Sequence, residues 1–547
     1  MITEADGQRA FPPVIAKKNR FALPRFSFAD SNWAQGEYAK AEPLLKEALD
    51  AEQKLFGRGH QYTVLSLSHL ALLQFDLGQR DETKVLARSE AEMQRNLLSK
   101  MFSFSSEPQR LAYLATLNPY LLFTLLPGCE TDLALAVLRY KGVVLDSIIE
   151  DRLLAQTGNE EANRDLVEEL NTKKRILAQL SLQTTAASAK EASQRTQGLE
   201  QEVENLQGKL ARQGTDLGQA RRAMSIRLEE VQGALPIDTV LVEYVRYKHY
   251  LGESKFELRY GAVVLSADSP PRWLMLGSAE DIEASLRSYQ RLARKASDLE
   301  MAAILRKIYC EVWEPVAQAF PVGANRVIIS PDGQLNFLSF ATLLDPENGF
   351  VAEKYSIQYV TSGRDLLRET QPTLSKQAIV MANPNFDMHI QLASSDLPSE
   401  NFGVLRGMEK REIADLSFRQ LEGTQKESAQ LLFKFEHWGW QAKSFTGPDA
   451  SKRALFNLHS PYILHLATHG FFEPEESSSE ENPNGFQSPA LKADLTKSKF
   501  FKNPMHCSGL ALTGANSTVN AWKRGESPPI EENGILTGHL VSDLIGL

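Results

Sequence analysis

The sequence predicts a helical N-terminal half followed by an α/β C-terminal half. Three observations carry this. From about residue 34 to about 230, apolar residues recur at helical spacing. At Leu235-Pro236 the character changes to β-rich runs. Beyond that break, short continuous apolar strands alternate with helical stretches, the pattern of a sandwich around a largely buried sheet.

Composition bounds the reading. The chain has 547 residues, with 60 Lys+Arg against 69 Asp+Glu and a formal charge of −9. That length allows about three domains. With 42% hydrophobic and 24% charged residues, bulk disorder, collagen and a disulfide scaffold are excluded. No run of about 18 apolar residues is free of charges, so no membrane span is expected. The opening residues 1–14 lack an apolar core, so no secretory signal is read there. Cys129, Cys310 and Cys507 lie far apart, which speaks for a reducing, cytoplasmic location and against zinc ribbons. The mild negative charge gives no case for nucleic acid. There is no Gly-x4-Gly-Lys-Ser/Thr phosphate loop, and no cofactor or metal is expected.

The elements follow in order. Residues 1–30 are punctuated by Pro and Phe without a period and form an irregular N-terminal segment. Residues 31–95 carry helical hairpins. Gly36-Glu37-Tyr38 precedes a face of Ala41, Leu44, Leu45, Ala48 and Leu49, and Gly78 follows the apolar run 65–77. Gly36 and Gly78 are about 42 residues apart, and a fixed period of this size implies stacked helical hairpins. Trp33, Gly36, Tyr38, Ala41, Leu70, Ala71 and Gly78 resemble the tetratricopeptide repeat, in the long variety of kinesin light chains. His60 to Thr63 stands where that variety has His-Pro-x-Thr, without the Pro. A helix pair without repeat ancestry is the plainer alternative, since only about one and a half repeats are visible.

Residues 96–232 read as a helical linker. Leu133, Val137, Leu138, Val144, Leu145 and Ile148 form a broad core-facing stripe. From Leu199 the steps tighten to Val203, Leu206, Leu210, Gln213, Leu217, Ala220 and Met224, a heptad seam. An intramolecular hairpin with 164–182 is preferred there over a dimeric coiled coil, and the oligomeric state stays open. In 235–547, strands are expected at 239–245, 260–265, 326–330, 356–360, 377–381, 441–445 and 462–466. Helices are expected at 281–295, 299–319 and about 424–439, the last carrying Ala429, Leu432 and Phe435 inward.

The sharpest chemical signal is the run 463–472, where an apolar strand passes into Thr468-His469-Gly470. Strand ends are where side chains meet in a cleft. A histidine there can take a proton from a thiol or hydroxyl and return it to a leaving amine. Taken alone, His-Gly after a strand is a weak signal, and a structural histidine is the ordinary reading.

The ordered set of segments is more specific. Residues 241–247, Ile329-Ser330-Pro331-Asp332-Gly333 with 335–340 (read as strand–turn–strand), Ala382-Asn383-Pro384, residues 421–427, His465 to Gly470, Ser508 to Leu512 with Gly514-Ala515-Asn516, and Asn533 to Thr537 resemble the CHAT domain, a caspase-like peptidase domain that commonly follows tetratricopeptide repeats. The linker segments 109–114 and 139–142 are similar to those of such proteins. The resemblance implies a caspase-like α/β sandwich over 235–547. It also implies a His/Cys dyad with His469 as base, Gly470 supplying backbone N–H groups to the oxyanion, and a protein substrate. A protein or peptide partner on the helical half would regulate it.

In that family the nucleophilic Cys follows an apolar strand shortly beyond the segment matching 533–537. No Cys follows Thr537 in this sequence, so the expectation is a domain incomplete at its C-terminus and inactive as written. Cys507 is a poor substitute, because it follows Asn503-Pro504 in a loop; Cys129 and Cys310 fall in helical segments. A metal site from His459, His465, His469, His506 and Cys507 is disfavoured, since residues 465 and 469 on an extended strand are ~13 Å apart. His465 is read as a satisfied strand histidine. The acidic run 473–481 is read as a solvated loop, with a rim attracting basic substrates as the other reading. The alternative function is a non-catalytic scaffold built on a degenerate peptidase fold.

Overall fold

The computed structural model describes residues 29–56, 61–102, 106–147, 222–252, 255–293, 298–368, 376–389, 417–459, 461–472, 508–524 and 532–538, apart from isolated positions, together with scattered positions within 165–209 and residue 528. Cys507, the acidic loop 473–481 and half of the heptad seam (Leu210, Gln213, Leu217 and Ala220) lie outside the described residues.

The N-terminal half is helical: α1 (Tyr38–Phe56), α2 (Gln61–Asp76), α3 (Arg80–Phe102), α4 (Glu107–Leu114), α5 (Leu121–Leu125), α6 (Glu130–Tyr140) and α7 (Leu228–Gly233). Gly36 and Gly78 precede α1 and α3 with φ of 74° and 77°. Both adopt the left-handed conformation that only glycine takes at little cost. Ala41, Leu45 and Ala48 of α1 are buried, as are Leu70 to Leu73 of α2. In the linker, Leu170, Val203 and Leu206 bury together and Lys173 bonds Glu202 at 2.6 Å. The two stretches therefore face each other within one chain.

The first sheet holds β1 (Thr239–Gly252), β2 (Lys255–Leu265), β3 (Arg272–Ser278), β4 (Arg326–Ser330) and β5 (Ser356–Tyr359) in the order β3-β2-β1-β4-β5. β1 pairs antiparallel with β2 and parallel with β4. The first seven residues of β1 are all buried, because both faces are covered. Strand alternation sends Leu241 and Val245 into the core shared with the helical half, and Val240, Val242 and Tyr244 into a second core. That second core is made with α8 (Ala279–Ala293), α9 (Asp298–Ile308) and α10 (Glu314–Ala317). The break at Leu235-Pro236 is thus a change of secondary structure inside one packed core.

Two local expectations are corrected. The helix expected over 299–319 is interrupted by a π-helical turn, Tyr309–Trp313. Pro315 follows it, and a proline has no N–H for the ladder and crowds the preceding turn. The strand expected after Pro331-Asp332-Gly333 is a 3-10 helix, Gly333–Phe337. Leu335, Leu338 and Phe340 are buried while Phe337 is 37% exposed, so the burial is not the period of two that a strand needs.

The second unit begins with β6 (Gln377–Pro384), α11 (Glu422–His437), β7 (Gln441–Gly447), α12 (Lys452–Phe456) and β8 (Ile463–Ala467). The three strands are parallel in the order β7-β6-β8. Then β9 (Gly470–Phe472), β10 (Ser508–Ala511), α13 (Ala515–Lys523) and β11 (Ile535–Thr537) follow. The strands of this group form an antiparallel sheet, β11-β10-β9. The two sheets share the core of Ile379, Met381, Leu455, Leu512 and Leu536. On α11 the inward face is Ser428, Leu431 and Phe435; Ala429, expected inside, is exposed.

Candidate active site

β6, β7 and β8 run parallel, so their carboxyl ends share one edge, and three segments converge there. β8 ends at Ala467 and the chain passes through Thr468 and His469 into β9. β6 ends at Pro384 and continues into Asn385, Phe386 and Asp387. Residues 417–421 lead into α11 across the same edge.

The His469 Nε2 lies 2.8 Å from the carbonyl oxygen of Arg419. A carbonyl only accepts, so Nε2 carries the proton in the neutral ring and Nδ1 keeps its lone pair. Nδ1 is therefore the basic nitrogen, and no described residue bonds it. Phe386 and Phe418 pack against the ring at centroid distances of 5.3 and 5.7 Å and against each other at 5.9 Å. The three rings form one cluster that restricts the imidazole. Thr468 Oγ1 donates to the Ala511 carbonyl, fastening the turn to β10.

Gly470 is placed by the ladder that follows. Ala511 N–H donates to His469 O at 2.9 Å. Gly470 stands opposite Leu510, in the next pair, where backbone groups point away from the partner strand. Its N–H is directed to the open side of β9 among the described strands. His469 and Gly470 thus offer an unbonded ring nitrogen and an outward backbone donor in adjacent residues.

Of the other histidines, His465 Nε2 lies 3.0 Å from Glu427 Oε1, so this strand histidine has a partner. His459 Nδ1 lies 3.0 Å from the Asn457 carbonyl. No group of three His, Cys, Asp or Glu that could hold a metal ion occurs among the described residues. Cys129 is buried in the core of the helical half. Cys310 is exposed on the π-helical turn, its thiol pushed up by partial burial and by Glu314. Ser508, next to Cys507 in sequence, pairs with Phe472. Ser508 stands three positions along the strand from Ala511, the partner of His469, a span of ~10 Å.

Sequence reasoning did not single out Phe386, Phe418, the Arg419 carbonyl or Asn516 as site residues. A backbone carbonyl acceptor has no residue signature, and 418–419 lie in a stretch without period. Asn383 carried a weak signal, as a member of Ala382-Asn383-Pro384. It adopts φ 48° at the same edge, with its N–H donated to Thr424 Oγ1 at 2.9 Å.

The CHAT domain family matches residues 302–545. No curated protein matches the chain. Among the described residues, no helix is long and apolar enough to cross a membrane.

Proposed function

We propose that the C-terminal half is a caspase-like cysteine-peptidase domain whose general base is His469. The observation that carries this is the 2.8 Å contact of His469 Nε2 with the Arg419 carbonyl. The Nε2 proton is held by that carbonyl, which leaves Nδ1 to receive a proton from a thiol. In such a reaction the thiol proton moves to Nδ1 and the thiolate sulfur bonds the substrate carbonyl carbon. The oxyanion accepts a hydrogen bond from the Gly470 N–H, the C–N bond breaks as the imidazolium gives its proton to the leaving amine, and water then releases the acyl group from sulfur. The match to the CHAT domain over 302–545 supports the peptidase type.

The proposal includes inactivity of the 547-residue sequence on its own. It has three cysteines. Cys129 and Cys310 belong to the helical core and to the helices on the first sheet, and Cys507 lies outside the described residues. A base without a thiol beside it leaves only weak activation of water, since members of a catalytic unit act together. The expected outcome is no hydrolysis of peptide substrates and no rapid labelling by a peptide electrophile. Thiol-dependent cleavage lost in Cys507→Ala would overturn the inactive reading and make Cys507 the nucleophile.

The second reading is a scaffold that binds a protein or peptide without cleaving it, favoured by the distance between His469 and the described cysteines. In either reading the helical half, proposed to be of tetratricopeptide type, is the surface for the partner. Cross-linking of the whole chain to a bound protein should give links from residues 31–95. Links confined to 235–547 would reject that assignment.

A further inference from the structure

We infer that Asn516 is the positioning residue for His469, acting through the backbone of Phe418 and Arg419; the inference rests on the reading of His469 as the base. The segment that holds His469 has no regular structure of its own: residues 417–421 form neither helix nor strand. Yet it supplies both the Arg419 carbonyl on Nε2 and the Phe418 ring beside the imidazole. Something must fix this segment, and one side chain bonds both backbone polar groups of a single residue. Phe418 N–H donates to Asn516 Oδ1 at 2.9 Å, and Asn516 Nδ2 donates to the Phe418 carbonyl at 2.9 Å.

The remaining Asn516 proton goes to Asp387 Oδ1 at 2.7 Å, and Asn516 N–H donates to the Phe386 carbonyl at 2.9 Å. Phe386 is the other ring against His469. One residue therefore ties together both aromatic walls and the segment carrying the acceptor carbonyl. Only a primary amide fits: it needs two donors and one acceptor in a fixed plane. A carboxylate would keep the bond from Phe418 N–H but face the Phe418 carbonyl and Asp387 with lone pairs. Asn516 is itself seated rigidly, at the second position of α13, after Gly514 at φ 84°.

With the acceptor carbonyl displaced, the neutral ring is no longer fixed with its proton on Nε2 and relaxes toward the mixture of a free imidazole, in which Nε2–H still predominates. The minor share carries the proton on Nδ1, where it blocks the basic position. This gives a readout independent of activity, the tautomer of His469 without substrate. The experiment is ¹⁵N NMR of the full chain labelled at histidine, at a pH where the ring is neutral, with the His469 signals assigned from their loss in His469→Gln. In the parent, Nδ1 and Nε2 should be widely separated, with the proton on Nε2, and the Phe418 amide should exchange slowly. In Asn516→Ala and Asn516→Asp the two signals should move toward each other. Unchanged signals in either variant with parental near-ultraviolet circular dichroism would overturn the inference. So would a parent with its proton on Nδ1 or a fast-exchanging Phe418 amide, which needs no variant to fold. The tautomer is read without substrate, so a change in the variants would retain Asn516 as the positioning residue even if the peptidase reading failed on other grounds.

Discussion

Glu243 is fully buried on β1, where a carboxylate persists only if charge and hydrogen bonds replace water. Lys141 Nζ lies 3.0 Å from its Oε2, and Gly363 N–H donates to its Oε1 at 2.5 Å. Burial pushes the carboxyl up, but Lys141 and the Gly363 amide together hold it below its ordinary range. Removing one partner of a buried pair costs about 3–5 kcal/mol, so Lys141→Met should lower unfolding stability by that order in urea. The double variant with Glu243→Gln should recover most of the loss; a double variant as unstable as the single one would show that the charge pair is not the cause. Glu90 behaves in the opposite sense. It accepts from Ser68 Oγ and from Gln94 Nε2 (2.7 Å), and burial raises its pKa from 4.5 to about 7. The folded state therefore keeps a proton that the unfolded state releases above 4.5. Stability from this site is complete below about 4.5 and is lost as pH rises to about 7, by roughly 3 kcal/mol. Glu90→Gln should flatten that fall in denaturation measured from pH 5 to 8; an unaltered slope would assign the pH dependence elsewhere.

At the scale of elements, the seat of α13 decides whether the site survives. Gly534 packs against the first turn of that helix, and a Cβ there would stand 2.2 Å from Ala515 N and 2.5 Å from Gly514 C. Those are backbone atoms with no rotamer to yield. Gly534 N–H also donates to Thr518 Oγ1 at 2.8 Å. Gly534→Ala should therefore shift α13, with a cost of about 1–3 kcal/mol, and carry Asn516 away from Phe418. The check is loss of slow exchange at the Phe418 amide; retained protection would mean that β11 moves instead. The element pattern also explains what the sequence could disclose. β4 was legible to the residue and β6 from its first residue, because continuous β-branched and apolar runs have no helical alternative at that length. Residues 299–319 were legible as helical, but not the π-turn before Pro315, whose effect depends on how Tyr309 and Trp313 pack. The 3-10 helix after Gly333 was misread as a strand because five residues cannot separate a period of two from three. His469 stood out because an apolar strand ends on it. Its acceptor did not, because any residue type could supply the Arg419 carbonyl.

For the whole molecule, the first sheet is the joint between the halves. Leu241, Val245, Tyr250, Phe256, Val263, Leu265 and Ile328 of this sheet belong to the same core as Trp33, Leu45, Leu72, Leu133 and Val137 of the helices. Tyr250 OH and Trp33 Nε1 both donate to Asp76 Oδ2, at 2.5 and 2.8 Å. Lys141 bonds the carbonyls of Tyr244 and Ser330 at 2.8 and 2.7 Å, and Arg364 pairs with Asp146. Cutting the chain near 231–238 would expose those sheet residues, at about 1.5–3 kcal/mol for each large side chain. Summed over the seven, that is on the order of 10–20 kcal/mol, comparable to or above the ~5–15 kcal/mol net stability of a domain. The helices and the first sheet should therefore unfold as one cooperative body. Residues 235–547 expressed alone should aggregate or bind a hydrophobic dye. In the intact chain, the helices and the first sheet should unfold together, with fluorescence at Trp33 and Trp273 losing native character in one transition. A monomeric 235–547 fragment with native near-ultraviolet circular dichroism would reject the shared core. It would also restore the helical half as an independent module, free to move when a partner binds. With the shared core intact, a partner of the kind proposed for the helices would act on β1 directly, through the same side chains that hold the halves together.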